Sequence, residues 1–492
     1  MVNRKLLPSR NFRTFSRFIS EMLRVYAVCA EKRTGAGVKW SDYSPLPRLT
    51  VPAMRLFCFF VTIALPGLLP AQEAVMLRER FDPGHEYHVT TRVDLRGELT
   101  IPVDKDKPAE LVKMTGRGSI DYGERVLTLE GNAAAKKTIR QYKSIDFRRQ
   151  TGDRLQEISL RPEVKRIVVM KRPGAKVSFS PDGPLLWGEI DMLRTDVFVP
   201  WLSGLLPDRA TKPGETWRVS DEAVAELTDM DKIERGGLTG KFEAVEAHGG
   251  RQLAHITLAG DLEGVNEDGP NRQRLSCRLY YDIRGEYISY LSINGEHFLL
   301  DKNGKVNGQF SGEFVMIRQL NPRSAALTNE ALARVKLDPT IENTQLLFDD
   351  ADAGVRFTYP RRWRLGRVQK GQITLDENGG SGLLISLEPG TRVPHAANYL
   401  KEAQGYLQQQ KSTIHRTTQP VRLSNAPNEL DQFAIESEVA NQRVIMDYLV
   451  ARQPNGGATF AGRLIYNDRE ALVRDVEGIA RSLVLSKKLE AK

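Results

Sequence analysis

Cysteine is nearly absent: the chain has 3 in 492 residues. That number excludes a disulfide framework. Aromatic residues make up 8% of the chain, and the overall composition is that of an ordinary globular protein rather than a collagen-like or disordered one. The same composition argues against a multispanning helical membrane protein. Intact catalytic and cofactor motifs are also missing. Gly379-Gly380-Ser381-Gly382 has Leu383 where a nucleophile elbow needs its last glycine. Gly236-Gly237-Leu238-Thr239-Gly240-Lys241 has the wrong spacing for a phosphate loop, and Phe242 stands where Ser or Thr would hold magnesium.

Charge is present in excess, but in one place. Residues 1–71 hold 11 of the 71 Lys and Arg and 3 of the 62 Asp and Glu, which leaves 60 basic against 59 acidic residues beyond them. The basic balance therefore belongs to the leader, and no general nucleic-acid footprint remains. Within that leader, Met54 to Ala71 has a single Arg55, an apolar stretch broken by Pro66-Gly67, and a small residue at its end. This is the grammar of a cleaved secretory signal. The expectation is an exported protein, periplasmic or extracellular, with no permanent membrane span after cleavage. Left uncleaved, the same segment would be a signal anchor. Residues 1–53 are Arg-rich and too long for a signal n-region, and are read as an upstream extension preceding the true start at Met54.

From 72 to 320 the pattern is strand after strand. Tyr87, Val89, Thr91, Val93 and Leu95 alternate with polar residues, and Leu279-Tyr280-Tyr281 and Tyr287-Ile288-Ser289-Tyr290-Leu291 are rich in aromatic and β-branched residues. Glu267-Asp268-Gly269-Pro270, Asn294-Gly295 and Asn303-Gly304 read as turns, the last as type I′. Such spacing predicts an antiparallel sandwich or open barrel. Pro83-Gly84-His85-Glu86-Tyr87-His88-Val89 returns as Pro213-Gly214-Glu215-Thr216-Trp217-Arg218-Val219. A division into repeated halves, 81–200 and 205–320, and a coincidence of two Pro-Gly turns both fit.

Residues 321–342 read as a linker with a helix near Thr328. From 343 to 492 the pattern becomes α+β. Val355, Phe357 and Tyr359 alternate as a strand. A helix after Pro394 carries Tyr399, Leu400, Ala403, Tyr406 and Leu407 on one face. The closing helix has Leu472, Val473, Val476, Ile479, Ala480 and Leu483, with Asn467 and Glu470 as a capping box. Gly354-Val355-Arg356-Phe357-Thr358-Tyr359-Pro360-Arg361-Arg362-Trp363 resembles the G-x-x-F-x-Y-P-x-x-W opening of the PsbP/Mog1-like group, which includes exported DcrB-type proteins, and the resemblance runs over about 345–487. It implies an α/β/α sandwich and mostly non-enzymatic binding or assembly roles, with no shared catalytic residues to carry over. Leu206 to Trp217 is similar to a turn–strand signature of uncharacterised exported bacterial β-rich proteins.

Single residues with chemical potential have structural readings beside the functional ones. His85 and His88 lie on opposite strand faces and cannot share a metal. Asp349-Asp350-Ala351-Asp352 and Asp301-Lys302-Asn303-Gly304-Lys305 hint at calcium but lack a complete ligand loop. Cys277 sits in a strand with no neighbouring base. No catalytic, metal or cofactor residue is assigned. One local charge cluster stands out: Arg361, Arg362, Arg364, Arg367 and Lys370 around Trp363 and Leu365. Trp363 and Leu365 are expected to face the core. Arg362, Arg364, Arg367 and Lys370 either solubilise an edge strand or dock an anionic partner. The expected function is non-catalytic binding or assembly in the cell envelope, with an envelope protein, lipid or polysaccharide as partner. The alternatives are a hydrolase of an envelope polymer using carboxylates of the β-rich region, and a structural component of a surface assembly.

Overall fold

A computed structural model describes residues 73–490 apart from 102–108, 131–133, 173–174, 267–268, 321–323, 370 and 440–441. The upstream extension, the leader and Lys370 therefore lie outside the described residues. The chain is mostly antiparallel β-sheet. Among the described residues no helix is long and apolar enough to cross a membrane.

The first strands are β1 (Val75–Leu77), β2 (Glu86–Ile101), β3 (Glu110–Glu130), β4 (Ala134–Thr151), β5 (Arg154–Ser159), β6 (Arg166–Arg172), β7 (Ala175–Phe179) and β8 (Leu185–Leu186). Helix α1 (Trp187–Arg194), a 3-10 turn (Val199–Leu205), β9 (Arg209–Thr211), β10 (Thr216–Arg218) and α2 (Asp221–Thr228) follow. Then come β11 (Lys232–Gly236), β12 (Thr239–His248), β13 (Arg251–Asn266), β14 (Gly269–Asp282), β15 (Tyr287–Leu300) and β16 (Val306–Leu320). They build one sheet in the order β10-β12-β13-β14-β15-β16-β2-β3-β4-β6-β7, with β11 and β5 beside it. The last strand before the connector, β16, pairs with β2 over thirteen positions, so the two halves share one hydrogen-bonded sheet.

Alternation decides which side of this sheet is dry. On β2, Tyr87, Val89, Leu95 and Leu99 are buried while Thr90, Arg92 and Arg96 are exposed. On β14 the inner set is Leu275, Cys277, Leu279 and Tyr281. These residues pack in one core with Ile190, Leu193, Phe198, Leu202, Val224 and Leu227 from the two helices and the 3-10 turn. Burying one such side chain is worth roughly 1.5–3 kcal/mol.

The two Pro-Gly turns are locally alike. Gly84 (φ 86°) and Gly214 (φ 90°) are left-handed, and their amides donate to Val126 and Phe242, whose own amides donate back to His85 and Glu215. The strands that follow differ: β2 runs 16 residues and β10 only 3. Two expected turns are corrected. Asn294-Gly295 lies inside β15, where Gly295 faces Leu275 and Gly312, because pairing along both edges overrides local turn preference. At Asn303-Gly304 only Gly304 is left-handed (φ 78°). The turn is therefore not type I′ and is held instead by the Asp301 carboxylate, which accepts from the amides of Asn303 and Lys305.

The connector is packed, not free. Thr328 caps the short helix α3 (Asn329–Leu332) by accepting from Ala331. Leu327 and Leu332 cover Ile139, Val168 and Phe179 on the outer face of the sheet. After α4 (Ile341–Thr344), strands β17 (Leu346–Asp350) and β18 (Val355–Tyr359) open the last region. They are followed by β19 (Trp363–Gln369), β20 (Gln372–Glu377), β21 (Gly382–Glu388) and α5 (Ala396–Gln409). Next are β22 (Thr413–Thr417), β23 (Val421–Ser424), β24 (Glu429–Val439), β25 (Gln442–Gln453) and β26 (Gly456–Ile465), and finally α6 (Arg469–Ser482) and β27 (Val484–Leu485).

Strand β17 pairs with β18 on one side and, in parallel, with β8 on the other. The last region thus shares a sheet with the first. Strands β19 to β26 form an eight-stranded sheet, on one face of which α5 packs on Phe433, Ile435 and Tyr448. Helix α6 joins the cluster containing Leu449, Ala451, Phe460 and Leu464, residues of opposite parity. Tyr406 was expected in the α5 stripe but is 59% exposed. Asn467 forms no capping box, because a 3-10 turn over Tyr466–Asp468 leads directly into α6.

Candidate functional site

Buried carboxylates come first, since a polymer hydrolase would need them. Arg140 on β4 lies between Glu124 (2.9 Å) and Asp196 (2.7 Å), and the Tyr142 hydroxyl donates to Asp196 at 3.1 Å. Lys176 pairs with Glu226, and Arg318 with Glu79. Burial pushes the Glu79 and Asp196 carboxyls up, against the pull of Arg318 and Arg140 respectively. Glu124, Asp196 and Glu226 are at most 1% exposed. These acids are buried, each with a cation, as buried charges require. His297, also fully buried, has neither ring nitrogen hydrogen-bonded among the described residues, and burial pushes it down to about 3.

The other sequence candidates resolve into structural roles. Ser381 is 2% exposed, and its hydroxyl accepts from the Ile465 amide. Gly240 lies under Trp217, whose ring stands 2.4 Å from where a Cβ would sit, so the glycine run serves close packing. Burial pushes the Cys277 thiol up to about 12. His88 points outward, 2.6 Å from Asp121, while the His85 ring lies beside Phe81 and Tyr87. Asp350 accepts from Ala353 within its own turn. Among the described residues no group of three or more His, Cys, Asp or Glu side chains is arranged to hold a metal.

The arginine cluster is divided by the fold. Trp363 is fully buried and donates to Asp475 of α6 at 2.7 Å. Arg361 turns inward. Arg362 is drawn to the same Asp475 and to Asp468 at 3.2 Å, so it is already neutralised. Arg364, opposite Asp376, and Arg367 remain exposed on the edge strand β19. Leu365 lies on the Trp363 face, opposite the buried Leu375, and is 38% exposed at the sheet edge. The register breaks between Leu365 and Val368, and such an irregularity re-aims the side chains beyond it.

A different surface gathers groups of one kind. On the outer face of four adjacent strands, His255, Tyr280, Tyr290 and Ile317 stand in one cross-strand row, each the register partner of the next. The His255 and Tyr280 rings stack at 5.1 Å, and Tyr290 follows at 5.8 Å, tilted by 55°. Ile317, next in the row, is 46% exposed. Glu246 holds His255 Nδ1 at 2.9 Å. Burial, and then the Glu246 carboxylate, push the Tyr280 phenol up and keep it protonated. The row borders an open groove of about 1170 Å³ whose rim includes Arg251, Gln252, Arg284 and Gln319. Sequence reading took Tyr280 and Tyr290 only as strand formers. What aligns them is the register of three hairpins, including a shift between Tyr280 and Tyr281, which periodicity does not encode.

No family model and no curated protein matches the chain. Among solved structures it is similar to the cyanobacterial PsbP of Synechocystis sp. PCC 6803. That likeness has 12% identity and a TM-score of 0.24, covering 29% of this chain and 92% of that one. A Mog1 mutant is similar at 8% identity and TM-score 0.23, covering 29% and 96%. A Nitrosomonas europaea protein assigned as an AttH is similar at 10% identity and TM-score 0.13, covering 82% and 98%. The PsbP and Mog1 likenesses are weak, fold-level resemblances to a minor part of the chain.

Proposed function

We propose that the chain is an exported, non-catalytic protein of the cell envelope that binds a ligand in the groove beside Tyr280, Tyr290 and Ile317. The observation that carries this reading is the aligned row of His255, Tyr280, Tyr290 and Ile317 on the face of the sheet away from the core. Exposed aromatic and apolar groups beside convergent polar ones are the usual makings of a binding site. The export half of the reading rests on the leader grammar of residues 54–71. In the same reading, residues 343–490 form an α/β/α layer arrangement of the PsbP/Mog1-like kind, with α5 and α6 on opposite sheet faces.

Hydrolysis is the weaker alternative, because the carboxylates with raised proton affinity are closed off from any polymer. The test is a screen of the full secreted chain against neutral glycans, acidic glycans and anionic vesicles, by thermal shift and titration, alongside Tyr290→Ala. At least one class should bind and be lost in the variant, with its circular dichroism unchanged. Failure of every class to depend on Tyr290 would overturn the reading.

A further inference from the structure

We infer that the groove takes an acidic polysaccharide, a chain of pyranose rings bearing carboxylates; this rests on the binding reading above. The apolar surface on offer is small. His255 covers one face of Tyr280, which leaves the tilted Tyr290 ring and half-exposed Ile317 as the open platform. That suffices for the C–H face of a saturated ring but not for an acyl chain, which gains about 0.8 kcal/mol only for each methylene fully buried. Around the platform the groups are hydrogen-bonding ones: Gln252 and Gln319 are both exposed at the groove's rim.

The shape fits an extended ligand. Strands lie about 4.8 Å apart, so His255 to Ile317 spans roughly 14 Å. The same row continues through Thr90 and Asp121 on the next two strands. A chain laid across the strands would meet the platform and then the polar continuation.

Charge selects the class of sugar. Arg284 at the groove's rim is exposed, as is Arg278, which precedes Tyr280 by two residues on the same face. Neither has a carboxylate within ion-pair distance among the described residues. Arg251 reaches Asp282 only at 3.5 Å, and at the far end Lys143, 66% exposed, stands beside His88 and Asp121. The acids along the row are already engaged, Glu246 by His255 and Asp121 by His88 and Lys143. Guanidinium groups pair with carboxylates in two parallel hydrogen bonds, so free arginines flanking a ring platform favour a carboxylated sugar over a neutral one.

The experiment uses the full chain, with polygalacturonate as the acidic polymer, dextran as the neutral one, and phosphatidylglycerol vesicles. Wild type is compared with Tyr290→Ala, with Arg278→Glu/Arg284→Glu, and with Arg364→Gln as a remote control. Polygalacturonate should bind and weaken with salt. Its affinity should fall at least about tenfold in the first two variants, the scale of one lost charged hydrogen bond, and be unchanged in the control. Equal binding of dextran and polygalacturonate, both lost in Tyr290→Ala, would overturn the acidic assignment and leave the binding groove standing. Binding of vesicles alone, lost in Tyr290→Ala, would do the same in favour of lipid. Polygalacturonate binding unaffected by Tyr290→Ala would remove both the assignment and the site.

Discussion

The Arg361 guanidinium donates to the backbone carbonyl of Ser178, 2.8 Å away and 183 positions earlier in the chain. The same side chain donates to Thr344 at 2.7 Å. It therefore fastens the end of β7 to the start of the last region, next to the parallel pair of β8 and β17. Burial, helped by Arg194, pushes Arg361 down to about 10, so it stays charged at neutral pH.

Arg361→Ala is expected to cost about 1–3 kcal/mol, because two partly buried carbonyls lose a charged donor. Arg361→Lys should recover little, since a single ammonium cannot reproduce the planar fork. Calorimetry of the full chain checks this. A melting profile in which the last region separates as its own transition in Arg361→Ala would locate the loss at the junction. Unchanged stability would show that the β8–β17 pair alone holds it.

Asp447, on the α6 side of β25, is 1% exposed, and its Oδ1 accepts from Gln432 at 2.9 Å. Burial pushes it up to about 7 from an ordinary 3.8, with Glu477 adding to the shift and Gln432 opposing it. A raised carboxyl contributes stability that is complete below pH 3.8 and is lost as pH rises through about 7. The slope is about 1.4 kcal/mol per pH unit. Asp447→Asn keeps the acceptor and removes the proton. The variant should gain on wild type between pH 4 and 7 and hold that gain above pH 7. Denaturant titrations across this range decide, and parallel curves would refute the assignment.

Arg362 and Arg364 are close in sequence and opposite in circumstance. Arg362→Gln leaves Asp475 with only the Trp363 donor and should cost about 1–3 kcal/mol, discounted because a third of the side chain is exposed. Arg364→Gln should change stability by no more than about 0.5 kcal/mol. Urea midpoints at one pH check the pair. Equal losses would mean that the α6 contact contributes nothing.

Much of the architecture is local in origin and was legible. The alternation at Tyr87 and Val89, the strand Val355–Tyr359 and the α6 stripe Leu472, Val476 and Ile479 each follow from a period that one element carries by itself. The left-handed glycines after Pro83 and Pro213 were equally readable, since that conformation is cheap only for glycine. What tertiary structure alone decided depends on partners distant in the chain. Asn294-Gly295 became strand because β14 and β16 flank it. Arg362 became an internal ion pair because α6 brings Asp475 there, and Leu365, on the Trp363 face, is left partly exposed because β19 is an edge strand. Tyr280 and Tyr290 were visible as aromatic residues from the start. Their alignment with His255 and Ile317 is a property of cross-strand register, where a slip of one residue would send each side chain to the opposite face.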